Sequence, residues 1–334
     1  MKKYNIAVIG GDGIGPEVIG ETIILLKATE LEFKFSYAEG GYEAYKKYKT
    51  PLPTETISTC KKCDAILFGA VTTPPHIEKY KSPIISLRKL FDLYANVRPF
   101  VSLPIPSQRQ DINIILFREN TEDLYMGEEY KIPGGAVAKR IITKKASKRI
   151  IQTAFETAVK KNRKKVTVVH KANVLRLTDG LFLKIAQSLS KKYPGIIYEE
   201  MLVDSCAMQL IKKPESFDVI VTTNMFGDIL SDEIAGLTGG LGVAASANIG
   251  RTQALFEPVH GSAPKYAGKN IANPLASFLS ACLMLEYLGE MRTAVKIRKA
   301  IDSTLRNKYM TKDLGGTASM TDFTKKVISY YNYP

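Results

Sequence analysis

The chain has 334 residues, enough for two domains or for one large domain with an insertion. Hydrophobic residues make up 45% and charged residues 24%, an ordinary soluble balance, and no apolar run reaches the roughly 18 residues needed to cross a bilayer. The formal net charge of +14 fits a nucleic-acid binder or an enzyme of polyanionic metabolites. No RNP-like or finger-like motif accompanies the charge, and runs such as Lys160-Lys161-Asn162-Arg163-Lys164-Lys165 read as solvated helix surface.

In chain order, the apolar stretch from Ile6 is shorter than the ~7–15 residues of a secretory core, so a cytoplasmic protein with no membrane partner is expected. Strands are expected at Ile6–Ile9, Ala65–Phe68, Asn113–Phe117, Val166–His170, Ile197–Val203 and Val219–Thr223. Helical periods fall at Glu17–Ala28, Ala146–Lys160, Leu181–Lys191 and Pro274–Leu288, and the alternation indicates an α/β fold. The glycines of Gly10-Gly11-Asp12-Gly13-Ile14-Gly15-Pro16 miss the G-x-G-x-x-G spacing, because Pro16 takes the third glycine position; they read as a tight strand-to-helix turn without a pyrophosphate. Cys60-Lys-Lys-Cys63 has no second pair to complete a zinc site and reads as a helix end, with a redox pair as the alternative; the four cysteines suit a reducing compartment. The Pro-rich passage Pro99–Pro106 reads as a crossing between domains. Gly127–Thr143 reads as two extended strands about Gly134-Gly135, either an arm for another subunit or an internal hairpin.

Several polar groups follow expected strands directly, where open α/β sheets bind ligands. Asp228 and Asp232, in Asn224-Met-Phe-Gly-Asp228-Ile-Leu-Ser-Asp232, share a helix face, and two like charges so placed suit Mg2+ or Mn2+. On spacing alone, acids favoured by the helix dipole are the better reading. Asp204 is a third candidate ligand or a helix cap. In His170-Lys171-Ala-Asn173, Lys171 near a metal suits a general base, while a surface lysine is equally compatible with the spacing. Tyr125 closes Arg118–Tyr125 as a candidate proton donor; Arg88, Arg98 and Arg118 suit either carboxylate clamps or internal salt bridges. The small-residue loop Glu257-Pro-Val-His260-Gly-Ser-Ala-Pro264 can bring main-chain N–H groups to an anion.

Together these segments resemble the isocitrate/isopropylmalate dehydrogenase family over nearly the whole chain, from Gly11-Asp-Gly-Ile-Gly-Pro16 to Asp313-Leu-Gly-Gly316. The stretches Arg118–Tyr125, His170–Asn173, Asn224–Asp232 and His260–Pro274 carry it in combination. The resemblance implies two domains about a central cleft, unlike a standard Rossmann domain. Residues 1–99 and 252–334 would hold the cofactor; residues 100–251 would form the dimerisation and metal/substrate domain, with an intersubunit arm at 127–143. It implies a metal held by Asp228, Asp232 and Asp204 of a second subunit, with Lys171 and Asn173 also crossing the interface. A homodimer or dimer of dimers with shared sites follows. Lys171 would deprotonate the 2-hydroxyl of a polycarboxylate substrate, Tyr125 would protonate C3, and Arg88, Arg98 and Arg118 would hold carboxylates. Substrate and cofactor would both also meet Thr72 and Asn173, and the substrate would meet Ser82, Ile84 and Ile85. Asn173, Glu257, His260, Gly261, Ser262, Ala263, Pro264, Lys265, Tyr266, Asn273, Lys312 and Asp313 would meet the cofactor.

Within the family, Ser82-Pro-Ile-Ile-Ser-Leu-Arg88 is similar to the fungal homoisocitrate pattern, as are Phe68–Pro75 and Val203–Leu210 to homoisocitrate enzymes generally. This ranks homoisocitrate, a lysine-biosynthesis substrate, first and isopropylmalate second, with dual use allowed by Ile84 and Ile85. Lys265-Tyr266 stands where NAD-linked members carry Asp-Ile and resembles NADP-linked ones, although Gly316 replaces their arginine; NADP is expected, with NAD tolerated. The competing class is a basic nucleic-acid-binding protein that kept the fold without turnover.

Overall fold

A computed structural model of the chain describes residues 3–77, 80–105 and 108–333. Pro106, at the end of the Pro-rich passage, lies outside these residues. The chain divides into two compact units. One comprises Met1–Phe91, Leu103–Gln110 and Gly239–Pro334, and the other Asp92–Ser102 and Asp111–Thr238.

In the first unit the strands lie in the order Glu32–Tyr37, Lys3–Gly11, Ala65–Ala70, Ala254–Pro258, Ala245–Ile249. All pairings are parallel except the last. Ala65–Ala70 is buried at every position, the signature of a strand covered on both faces. Helix Gly15–Lys27 packs on Lys3–Gly11 and Ala65–Ala70, and Leu275–Tyr287 packs on Ala245–Ile249 and Ala254–Pro258. The latter helix is apolar nearly all round, as a fully enclosed helix must be. Met291–Arg306 and Met320–Asn332 complete the layer.

The glycine-rich segment is the expected tight turn, with Pro16 in the first turn of its helix. Gly11 has φ +80°, and a Cβ there would lie 2.0 Å from the Ala70 carbonyl oxygen, so no other residue fits. Between these glycines the buried Asp12 carboxylate accepts main-chain N–H bonds from Tyr42, Glu43 and Thr72 at 2.8–3.0 Å. It thereby holds the start of helix Tyr42–Tyr48. The Cys60 motif lies at the end of helix Thr54–Lys61, and burial pushes the Cys60 thiol up to about 12, far from a reactive thiolate.

In the second unit the order is Ala95–Val101, Asn113–Glu119, Val219–Thr222, Lys165–His170, Ile197–Leu202. Only the first pair is antiparallel. Pro99, read from sequence as part of a crossing, lies instead inside a strand opposite Ile115. That strand joins the second unit, so the units divide at Phe91 and Thr238, whereas the sequence places the divisions at 99 and 251. Helix Lys144–Lys160 covers the three central strands. Helix Asn224–Thr238 packs on Ala95–Val101 and Asn113–Glu119, beside Val203–Lys212. Glu129–Ile132 and Gly135–Ala138 form an exposed two-stranded hairpin, which satisfies its own main chain and leaves its faces uncovered.

Candidate active site

Helix Asn224–Thr238 begins directly after strand Val219–Thr222, so Asp228 and Asp232 occupy its second and third turns. They are not helix-start acids, and the dipole reading is set aside. An arginine meets them from each of two neighbouring strands, Arg118 near the end of Asn113–Glu119 and Arg98 in the middle of Ala95–Val101. Arg118 packs against Gly227, where a Cβ would sit 2.7 Å from both Cβ and Cγ of the arginine. Its Nε donates to Asn224 Oδ1 at 2.9 Å, and its Nη1 pairs with Asp228. Arg98 Nε donates to Asn96 at 2.8 Å and its Nη1 to Ser231 at 2.6 Å. The same guanidinium lies 3.6 Å from Asp228 and 3.4 Å from Asp232.

Tyr125, in the short turn Asp123–Met126, donates its hydroxyl to Asp228, and the Arg118 guanidinium lies 4.8 Å from its ring centre. Burial raises the Tyr125 pKa and the Asp228 hydrogen bond adds to this, with Arg118 opposing, so the phenol stays protonated at neutral pH. Burial also raises Asp232, opposed by Arg98 and reinforced by Asp228.

Lys171 and Asp204 form a second cluster. Lys171 Nζ pairs with the Asp204 carboxylate, which holds that carboxyl below its usual range. Asp204 stands in the first turn of Val203–Lys212, and the Lys171 main-chain N–H donates to Asp179 at 2.6 Å. Asn173 is exposed in the following turn. Among the described residues no group of three or more His, Cys, Asp or Glu is placed to hold a metal, so the three aspartates of one chain do not converge. Asp228 and Asp232 carry hard oxygen donors of the kind Mg2+ or Mn2+ would take.

The first unit gathers the other candidates. Arg88 Nη2 pairs with Glu257 at 2.9 Å, both buried, and Asn248 donates to the same Glu257 oxygen at 2.8 Å. All three arginines therefore make internal salt bridges, the plainer of their two readings, although the buried Arg88 Nε has no partner among the described residues. Ser82, itself buried, immediately precedes helix Pro83–Leu90, on which Ile84 and Ile85 are half-buried and Ile84 shares a face with Arg88.

The loop after Ala254–Pro258 docks on the glycine turn. Ile14 N–H donates to the Ser262 carbonyl at 2.8 Å, and Ser262 Oγ lies 2.7 Å from Thr72 Oγ1. His260 bonds the Gly261 carbonyl through Nδ1 at 3.0 Å, and its shielded Nε2 has no partner among the described residues. Burial lowers the His260 pKa, so a neutral ring presents a lone acceptor there. Gly261, Pro264, Lys265, Tyr266, Lys312 and Asp313 are exposed, and Ala263 is half-buried with φ +38°. Asn273 donates to Asp313 at 2.9 Å and caps helix Leu275–Tyr287 through its oxygen.

Sequence reasoning did not assign Asn96, Asn224 or Ser231. Their signals are two-residue spacing along a strand to Arg98, the first position after a strand, and helical spacing from Asp228. Arg140, which joins Asp123 to Asp179, had no local signal.

The isocitrate/isopropylmalate dehydrogenase family model matches residues 5–327. A homoisocitrate dehydrogenase of Methanocaldococcus jannaschii is 52% identical, over 97% of this chain and 97% of that protein. A 3-isopropylmalate dehydrogenase of Methanothermobacter thermautotrophicus is 49% identical, over 98% of each. The crystal structure of an isocitrate dehydrogenase from Methylococcus capsulatus superposes with a TM-score of 0.95 at 41% identity, covering 98% of this chain and 99% of that one.

Proposed function

The chain belongs to the isocitrate/isopropylmalate dehydrogenase family, and from that premise we propose that it converts homoisocitrate to 2-oxoadipate by oxidative decarboxylation. It is a nicotinamide-linked dehydrogenase of 3-substituted malates, acting in amino-acid biosynthesis, for which we propose the lysine route and the cytoplasm. One observation carries the site reading: Tyr125, Arg98 and Arg118 converge on the Asp228–Asp232 face. The homoisocitrate choice rests on Ser82–Arg88, where Ile84 and Ile85 offer an apolar surface one helical turn from Arg88; the same surface suits an isopropyl group, so 3-isopropylmalate is the second reading.

Asp228 and Asp232 would hold Mg2+ or Mn2+ with Asp204 of a second copy. Exposed Met208 and Ile211 on one helix and Ile229 on the next support a homodimer, as does Leu177, 89% exposed, near Lys171. When bound, the metal and the nicotinamide supply a Lewis acid for the 2-hydroxyl and an acceptor for the C2 hydride. Lys171 accepts the proton of that hydroxyl at Nζ. Arg88, Arg98 and Arg118 exchange internal carboxylates for those of the substrate, and so orient C2 and C3. Tyr125 delivers its phenolic proton to C3 after carbon dioxide leaves. The unpartnered His260 Nε2 suits an N–H donor such as an adenine amine. The exposed Lys265 suits a ribose 2′-phosphate, which favours NADP over NAD.

The test is turnover of homoisocitrate, 3-isopropylmalate and isocitrate with NAD and NADP, each with Mg2+ or Mn2+ and with a chelator. Homoisocitrate should give the highest kcat/KM, and the chelator should abolish it. Inactivity in every metal-supplied combination would refute the enzyme reading, and a preference for 3-isopropylmalate would replace the substrate.

A further inference from the structure

Arg140 lies just past the hairpin and touches none of the groups assigned to chemistry. Its guanidinium is nevertheless the hub of a buried network. Nε lies 2.8 Å from Asp123 Oδ1, and Nη1 pairs with Asp179 and donates to Thr178 Oγ1 at 3.0 Å. Nη2 donates to Thr223 Oγ1 at 3.0 Å. The group also lies 5.1 Å from the centre of the Phe226 ring. Both aspartate side chains are fully buried.

Each partner leads to a different functional residue. Asp179 Oδ2 accepts the main-chain N–H of Lys171 at 2.6 Å. Asp123 is two residues before Tyr125, and its Oδ1 also accepts the Leu124 N–H at 2.9 Å. Its Oδ2 accepts the Met225 N–H at 3.2 Å, at the start of the helix that carries Asp228. Asp123 has φ +72°, a strained conformation for an L-residue, and it persists where surrounding bonds over-determine it. Its own N–H donates to the Ile141 carbonyl at 2.9 Å, next to Arg140. A single planar fork thus spans the segments bearing Tyr125, Lys171 and Asp228, which a lysine point charge cannot reproduce.

We propose that Arg140 is a positioning residue that sets Tyr125 and Lys171 in register with the Asp228 helix, through Asp123 and Asp179 respectively. The inference rests on the reading of Lys171 as base and Tyr125 as proton donor. It makes the two limbs separable. Asp179 supports the residue that serves hydride transfer, and Asp123 supports the residue that serves protonation at C3.

The test uses the full-length enzyme with Mn2+ and its nicotinamide cofactor, and two readouts. One is the rate of hydride transfer from the 2-hydroxy acid. The other is exchange of a C3 proton of the 2-oxo acid product with deuterated solvent, in which the Tyr125 phenolate, formed when the phenol gives up its proton, takes the C3 proton and returns a solvent-derived deuteron. Arg140→Met should lower both by about 100-fold with substrate KM changed far less, and Arg140→Lys should recover part of the loss. Asp179→Asn preserves shape and should slow hydride transfer more than exchange. Asp123→Asn, also tolerated at positive φ, should do the reverse. Equal losses in both readouts for the two aspartate variants, tracking their thermal stability, would overturn the proposal. An Arg140→Met enzyme with kcat within about threefold of wild type would also overturn it. If Arg140→Met does not fold, the aspartate pair still decides. A wild-type chain inactive in both readouts would instead sink the reading of the site, and this inference with it.

Discussion

Replacing Gly227 by alanine tests how the helix bearing Asp228 and Asp232 meets the strand bearing Arg118. The new Cβ would stand 2.7 Å from Cβ and Cγ of Arg118 and 3.2 Å from its Cα. Arg118 has nowhere to retreat. Its strand is paired on both sides, opposite Thr222 and Asn96, and its head is held by Asn224 and Asp228. Overpacking costs about 1–3 kcal/mol, and the gain in helix propensity returns about 1, so a net loss of about 0–2 kcal/mol is expected. Each kcal/mol corresponds to about 2–4 °C in Tm. Activity should suffer more. A displaced guanidinium that weakens one charge-assisted bond to a substrate carboxylate forfeits about 1.5–3 kcal/mol, roughly 10–100-fold in kcat/KM. Gly236→Ala is the control: a Cβ on that exposed helical residue meets nothing within 4 Å, and it should stabilise by about 0.4–1 kcal/mol with activity intact. Thermal melts and steady-state kinetics on both variants decide. A Gly227→Ala enzyme as stable as Gly236→Ala, with kcat/KM within about twofold of wild type, would refute this account of the contact.

Three further outcomes are expected. Mixing inactive Lys171→Met and Asp228→Asn chains under exchange conditions should restore about a quarter of wild-type activity if each site draws on two subunits, whereas no recovery would confine the site to one chain. Lys265→Asp should shift relative kcat/KM from NADP toward NAD by removing a cation from the 2′-phosphate and adding a repelling carboxylate; an unchanged ratio would count against that role. Glu122 is buried, and desolvation pushes its carboxyl from 4.5 up to about 7 despite hydrogen bonds from Thr143. The folded chain therefore keeps a proton that the unfolded chain has released, so stability falls as pH rises from about 4.5 to about 7 and levels off above that. Glu122→Gln should match wild type near pH 4 and exceed it above pH 7, by an amount on the order of 3 kcal/mol; Tm–pH curves that stay parallel would exclude this.

The six strands expected from sequence all exist, and those such as Val166–His170 and Val219–Thr222 are β-branched runs. Ala245–Ile249 escaped notice because small residues carry little β-propensity, and its burial comes from the Leu275–Tyr287 helix packed on it. Ala95–Val101 was hidden by Pro99 and by Arg98, the charge that the site uses. At the site, the helical spacing of Asp228 and Asp232 was legible, as was the placement of Lys171 and Tyr125 after strands. The partners of the arginines were not, since Glu257 lies 169 residues from Arg88 and Asp228 lies 110 from Arg118. Such pairings are set by strand order, which local pattern does not encode.

Asp12 carries a consequence for how nucleotide preference can change in this chain. Its carboxylate, 4% exposed, accepts the main-chain N–H groups of Tyr42, Glu43 and Thr72, and so ties those segments to the glycine turn. A carboxylate so committed belongs to the fold and cannot be exchanged without loosening the start of helix Tyr42–Tyr48. On the cofactor reading proposed above, selectivity would rest with exposed side chains such as Lys265 and Lys312. On that reading redox partner and folding are decoupled, and a lineage would exchange one coenzyme for the other by surface substitution with the Asp12 bonds intact.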